Sequence, residues 1–168
     1  MRISCMPAGI VDPLRTGQGM IDLKKAGVDA TVLDLAMYTP ELRIDTSAEK
    51  KWTLLSKEPE KTADVLVPFL KKCSDITLPV CLVYAPYIGR DRSKDDLNET
   101  AIRLAAESVR LAADNGIPYV VARPLFAGVS LGNLRETNIG FYRDLAEIAG
   151  DSPVKILLEN QGRSVGGH

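Results

Sequence analysis

The sequence predicts an α/β protein built on a parallel sheet. Two layouts fit: the first five strands of an eight-stranded β/α barrel, or a complete open sheet of the flavodoxin-like kind. Short apolar runs alternate with segments of helical periodicity along the 168 residues. Each crossover is long enough to bring the chain back to a parallel strand. The last run, Lys155-Ile156-Leu157-Leu158-Glu159-Asn160-Gln161, is apolar and closes on a carboxylate. That is the pattern of a buried parallel strand carrying an acid to its C-terminal end, where β/α proteins do their chemistry. Only seven residues follow Gln161, too few for the helix that a buried strand needs on its outer face. This favours the barrel, with residues 1–168 as the N-terminal part of a single (β/α)8 domain and strand 5 ending near Asn160. The barrel predicts strand order 1-2-3-4-5, the flavodoxin-like sheet 2-1-3-4-5.

The first strand is read at residues 3–7, followed by a helix over residues 14–26 with Met20, Leu23 and Lys24 at helical spacing; Gly27 stops it. No glycine-rich phosphate cradle precedes that helix, which counts against a nucleotide-binding open sheet. Ala30-Thr31-Val32-Leu33-Asp34-Leu35-Ala36 is the second strand, rich in β-branched and aliphatic residues. A long polar connection over residues 38–58 holds Pro40 and Trp52, with room for a short helix. The next helix, residues 60–74, aligns Leu66, Phe69, Leu70 and Cys73, and Pro68 inside it predicts a kink or a restart. Val80-Cys81-Leu82-Val83-Tyr84 is the third strand, running into Ala85-Pro86-Tyr87 and a charged loop. Ile102, Ala105, Ala106, Val109, Ala112 and Ala113 then form a helical stripe, with Asn98 as N-cap and Asn115-Gly116 as the stop. Tyr119-Val120-Val121-Ala122 is the fourth strand and ends at Arg123-Pro124. Ile139, Tyr142, Leu145, Ala146 and Ala149 define the last helix, capped by Gly150.

Composition narrows the function classes. Hydrophobic residues make up 45% and charged residues 26%, and the formal net charge of -1 provides no bulk attraction to nucleic acid or anionic membrane. No apolar run approaches the roughly 20 residues of a membrane span. Cys5, Cys73 and Cys81 are odd in number and widely spaced, which reads as reduced core thiols of a cytoplasmic protein. The run Arg90-Asp91-Arg92-Ser93-Lys94-Asp95-Asp96 alternates in sign and reads as a solvated loop, not a nucleic-acid patch.

Val32-Leu33-Asp34, Tyr84-Ala85-Pro86-Tyr87, the alanine-rich helix running into Gly116, and Ile156-Leu157-Leu158-Glu159-Asn160 resemble the xylose isomerase-like TIM barrels. That superfamily contains sugar and sugar-phosphate isomerases and epimerases, and the endonuclease IV type of DNA repair enzyme. The resemblance implies a divalent metal at the barrel mouth, Mn²⁺ or Mg²⁺ in preference to Zn²⁺. Glu159 takes the position of the carboxylate that ends strand 5, a metal ligand that in epimerases also removes a proton beside a ketose carbonyl. The substrate implied is a small carbohydrate or sugar phosphate, with no nucleic acid and no membrane as partner. The remaining ligands of such a site come from later strands, so residues 1–168 alone are expected to be inactive. Open sheet edges with apolar faces predict either further chain covering them or self-association into a homo-oligomer.

Departures from the family pattern matter as well. Tyr84 stands where repair-type members often carry His before Ala-Pro-Tyr, and Arg123 where relatives often carry His. Tyr and Arg are poor zinc ligands, which argues against an endonuclease IV-like phosphodiesterase. That reading stays as an alternative, together with a non-catalytic small-molecule-binding α/β protein. Arg123 suits a carboxylate or phosphate on a substrate, or equally a salt bridge across the sheet end. Tyr84 and Tyr87 are candidate substrate contacts or rim packing. Glu159 is the catalytic and metal-binding candidate, its plainer reading being a partner of Lys155 or Arg163. Asp34 faces the mouth or caps the following segment. His168, the single histidine, lies at the terminus, where a frayed end is the default.

Overall fold

The computed structural model describes residues 3–6, 16–35, 58–86, 95–125 and 132–159. In chain order they form β1 (Ser4–Cys5), α1 (Thr16–Lys25), β2 (Ala30–Asp34), a 3-10 turn (Pro59–Lys61) leading into α2 (Thr62–Asp75), β3 (Val80–Tyr84), α3 (Asp95–Asp114), β4 (Tyr119–Ala122), α4 (Leu134–Ala149) and β5 (Lys155–Leu158). All strand pairs are parallel and the order is β1-β2-β3-β4-β5. No strand order reverses, so the flavodoxin-like layout is excluded and the barrel order holds.

The registers sort the side chains onto two faces. Leu33, Val83, Val120 and Ile156 lie in one cross-strand row. Leu33, Val83 and Val120 are buried, and Ile156 packs against the same core. This row meets the helices: Leu66, Phe69 and Cys73 of α2, Ala105, Val109 and Ala112 of α3, and Leu145 of α4 belong to one hydrophobic cluster with it. Because side chains alternate along a strand, the neighbouring row, Asp34, Tyr84, Val121 and Leu157, points to the other face. The helices therefore cover one side of the sheet, as in the wall of a β/α barrel.

Turn chemistry matches the sequence reading at the ends of α1, α3 and α4. Gly27, Gly116 and Gly150 have φ of 85°, 64° and 51°, the left-handed region that costs glycine least. Burial pushes the Cys73 thiol up to about 12, and all three cysteines are free. Among the described residues, no helix is long and apolar enough to cross a membrane.

Four expectations are corrected. Pro68 neither breaks nor restarts its helix, since α2 is continuous from Thr62 to Asp75. The apolar anchors Leu66, Phe69 and Cys73 flank the proline on the buried face and offset its missing N–H. Asn98 lies inside α3, which starts at Asp95; the earlier acidic residues suit a helix N-terminus better. The buried face of α4 is set by Phe141 and Leu145, whereas Ile139 is 45% exposed and Ala146 is exposed too. Phe141 offers more apolar area than Ile139 and decides the phase. Finally, β5 is parallel but not buried: Leu157 is 38% and Leu158 64% exposed. Among the described residues it pairs only with β4, and no helix follows it. At the opposite edge Ile3 and Met6 are also exposed.

Candidate active site at the C-terminal ends of β3, β4 and β5

Ala122 of β4 is the register partner of Leu158 of β5. The next residues along the two strands, Arg123 and Glu159, thus emerge side by side on the face that carries Tyr84. The geometry follows from this placement. Arg123 Nε donates to Glu159 Oε2 at 2.5 Å. Its Nη2 makes two longer contacts, 3.4 Å to Glu159 Oε1 and 3.4 Å to the Tyr84 hydroxyl. Tyr84 also donates its hydroxyl hydrogen to Glu159 Oε2. The Arg123 guanidinium carbon lies 5.2 Å from the centre of the Tyr84 ring, a cation–π distance. Three strands therefore deliver one acid, one cation and one phenol to a single point.

The electrostatics follow the contacts. The Arg123 hydrogen bond holds the Glu159 carboxyl below its ordinary range, against the opposing pull of desolvation, and the Tyr84 bond adds to the lowering. Desolvation raises the Tyr84 phenol and its bond to Glu159 raises it further. Desolvation pulls the Arg123 guanidinium down, but its bonds to Glu159 and Tyr84 outweigh that and keep it protonated. The cluster at neutral pH is a carboxylate, a guanidinium and a neutral phenol. The side chains of Arg123 and Glu159 are 29% and 35% exposed, so a ligand can reach both.

Two residues of α4 hold this strand end in place: Asn138, which the sequence reading did not single out, and Tyr142, which it read only as part of the helix's apolar stripe. Asn138 of α4 accepts from Leu125 N at 2.7 Å, and its amide donates to Leu125 O at 3.0 Å and Leu134 O at 2.8 Å. The Tyr142 hydroxyl donates to Ala122 O at 3.0 Å. These bonds bracket Arg123 on both sides and pin its backbone to α4. A polar side chain one turn into a helix after a loop is a signal for such a clamp, though it does not name the partner.

The structure brings together Glu159, Arg123 and Tyr84 of the predicted site. Of the two readings of Arg123, it shows the salt bridge across the sheet end; the partner of Glu159 is Arg123, not Lys155. Asp34 lies in the same row as Tyr84. Tyr87, Asn160, Arg163 and His168 lie outside the described residues. A groove of about 610 Å³ opens at the opposite end of the sheet, between the C-terminal ends of α2 and α3. Tyr84, Arg123 and Glu159 take no part in its lining, so the site is placed by side-chain chemistry and not by that groove.

A divalent metal does not fit the described residues as they stand. Among them no group of three or more His, Cys, Asp or Glu side chains could hold an ion. Glu159 Oε2 already accepts from a guanidinium and a phenol, donors that a metal ion would have to displace.

No family model and no curated protein matches the sequence. Solved structures do match the fold. A D-tagatose 3-epimerase-like protein superposes with a TM-score of 0.63 at 14% identity, over 96% of this chain and 53% of that one. The 3-keto-D-glucoside 4-epimerase YcjR from E. coli gives 0.59 at 16% identity, over 97% and 57%. A sugar phosphate isomerase/epimerase from Parabacteroides distasonis gives 0.55 at 14%, over 94% and 50%. This chain thus spans about half the length of the structures it resembles. The five parallel strands in sequential order, the helices on one face and these likenesses lead to one assignment: over its five strands the chain has the β/α-barrel fold of these epimerase and isomerase structures.

Proposed function

We propose that the protein at its native length is a sugar or sugar-phosphate isomerase/epimerase, in which Glu159 carries a proton to and from the carbon beside a ketose carbonyl. The observation that carries this reading is the convergence of Glu159, Arg123 and Tyr84 at the C-terminal ends of adjacent parallel strands. In β/α barrels that end holds the chemistry. The structural neighbours, described as epimerases and isomerases of sugars, support the substrate class.

In this mechanism Glu159 starts as the carboxylate that Arg123 maintains. Its Oε2 is committed to two donors, so Oε1, whose one contact among the described residues is at 3.4 Å from Arg123, is the oxygen suited to accept the proton. The C–H electron pair moves into the bond toward the carbonyl carbon, giving an enediolate and a protonated Glu159. Return of that proton to the adjacent carbon, with the hydroxyl proton passing between the two oxygens, completes isomerisation; epimerisation requires a second acid to deliver a proton to the opposite face of the same carbon while Glu159 keeps the one it took. Arg123 and Tyr84 hold the carboxylate in one orientation, which removes rotational freedom before reaction. The setting proposed is the cytoplasm, where the free thiols stay reduced.

The test is turnover of a panel of ketoses and ketose phosphates by the protein at its native length, with and without Mn²⁺ or Mg²⁺. Glu159→Gln should lower turnover by roughly two to four orders of magnitude, the contribution of a positioned acid/base. Full activity in that variant contradicts the proposal.

A further inference from the structure

Arg123 stands just past β4, which closes at Ala122, and the next residue, Pro124, has no N–H with which to extend a sheet ladder. The segment is fixed from α4. The Tyr142 hydroxyl donates to Ala122 O at 3.0 Å, one residue before Arg123. Asn138 accepts from Leu125 N at 2.7 Å and donates to Leu125 O at 3.0 Å, two residues after it. Asn138 and Tyr142 are four apart, so they lie one above the other on a single face of α4. Each is itself held. The other amide hydrogen of Asn138 goes to Leu134 O at 2.8 Å, which fixes its rotamer. The Tyr142 ring lies against buried Phe141, with centroids 5.0 Å apart. Burial pushes its phenol up to about 12, so the hydroxyl keeps its hydrogen at neutral pH.

We propose that Asn138 and Tyr142 are positioning residues of the Glu159 site: by clamping the backbone on both sides of Arg123, they set where its guanidinium meets the carboxylate. This deepens the isomerase/epimerase reading and rests on it for the chemical role of Glu159. The tolerance at that contact is small. Arg123 Nε sits 2.5 Å from Glu159 Oε2, a charge-assisted bond whose strength depends on distance and alignment. A shift of the Arg123 backbone by about 1 Å would carry the guanidinium out of that bond, and a misplacement of that size can cost roughly a hundredfold in rate. Phe141 and Leu145 of the same helix belong to the hydrophobic core. The clamp therefore refers the guanidinium, and through it the acid/base, to the packed core. In this way α4 both covers β4 and orients the chemistry at its end.

The experiment reads the Arg123–Glu159 contact directly, as hydrogen exchange of Arg123 Nε–H. It is followed by ¹H–¹⁵N NMR at mildly acidic pH on the protein at its native length. Tyr142→Phe keeps the ring and deletes one clamp bond; Asn138→Leu keeps the side-chain shape and deletes three bonds. Leu145→Val is the control, a core change on the same helix that leaves both clamp residues in place. The Nε–H should exchange roughly two- to tenfold faster in Tyr142→Phe and roughly tenfold or more faster in Asn138→Leu, as one and several hydrogen bonds imply. In Leu145→Val it should exchange as in the parent, because a loss of stability alone does not reach this contact. Parent-like exchange in both clamp variants, or an equal rise in Leu145→Val, overturns the inference. Should Asn138→Leu not fold, Tyr142→Phe alone decides. Turnover of a ketose phosphate separates the clamp from the reading on which it rests. Faster exchange in the clamp variants of a protein that turns over no sugar removes the isomerase/epimerase reading and keeps the clamp. Turnover by the parent with parent-like exchange in both variants removes the clamp and keeps the reading.

Discussion

Arg123→Ala removes the cation from the cluster, and its cost can be worked out from the contacts. The variant loses one close hydrogen bond to a carboxylate and the guanidinium over the Tyr84 ring. A buried hydrogen bond to a charged group contributes about 1.5–3 kcal/mol, and an exposed ion pair about 0.2–1 kcal/mol. With the two side chains 29% and 35% exposed, solvent screening places this pair between those limits, at about 1 kcal/mol. The ring contact adds about 0.5 kcal/mol. The loss at pH 7 should therefore be about 1.5 kcal/mol, detectable as a lower urea midpoint at constant m-value. Its pH dependence identifies the source. Arg123 lowers the folded-state pKa of Glu159, so the unfolded state takes up the proton first as pH falls. The pair's contribution is present above the unfolded carboxylate value of about 4.3 and is lost as pH falls through the folded value. Urea unfolding followed by far-UV circular dichroism at pH 7 and at pH 3 should show the gap between parent and variant shrinking in acid. An equal gap at both pH values would refute the ion-pair account and assign the whole loss to packing.

Other substitutions test separate parts of the structure. Tyr84→Phe keeps the ring under Arg123 but deletes the hydroxyl on Glu159; stability should fall by about 0.5–1.5 kcal/mol, and the Glu159 carboxyl, followed by ¹³C NMR, should titrate at higher pH. Asn138→Leu breaks the clamp on Leu125 and should speed amide exchange at Leu125 with the fold retained; unchanged exchange would show that the clamp is idle. Gly116→Ala places a side chain at φ of 64°, where an added Cβ meets no atom within 4 Å, so the cost is conformational, roughly 1–2 kcal/mol, and a thermal melt without a loss contradicts it. Leu33→Ala in the row facing the helices, where Leu33 is 1% exposed, should cost about 2–5 kcal/mol by chemical denaturation.

How legible the molecule was in its sequence varies with the physics involved. Strands β2 to β5 and the helices between them were readable, because burial of one face imposes a period that survives in the sequence. Gly27, Gly116 and Gly150 marked helix ends since a left-handed residue is needed there. The place of Glu159 just past the end of β5 was legible too. Its partner was not: Lys155 and Arg163 are near in sequence, and only the β4–β5 register puts Arg123 beside it. The exposure of Leu157 and Leu158 was hidden for a related reason, because an apolar run reports composition and not what packs on it. In α4, Ile139 and Phe141 both offered an apolar stripe, and the choice was made by tertiary contact with the core. Asn138 and Tyr142 looked like ordinary helix residues, and their backbone partners on the β4 end appear only once α4 is docked.

The central claim, that Glu159 moves a proton on a sugar at this strand end, is tested most directly by solvent isotope exchange. The protein at its native length is incubated in D₂O with a ketose phosphate, and ¹H NMR follows the signal of the hydrogen beside the carbonyl. The account predicts loss of that signal through deuterium incorporation by the parent protein, and a rate lower by roughly two to four orders of magnitude in Glu159→Gln. Exchange at the parent rate in Glu159→Gln would contradict it.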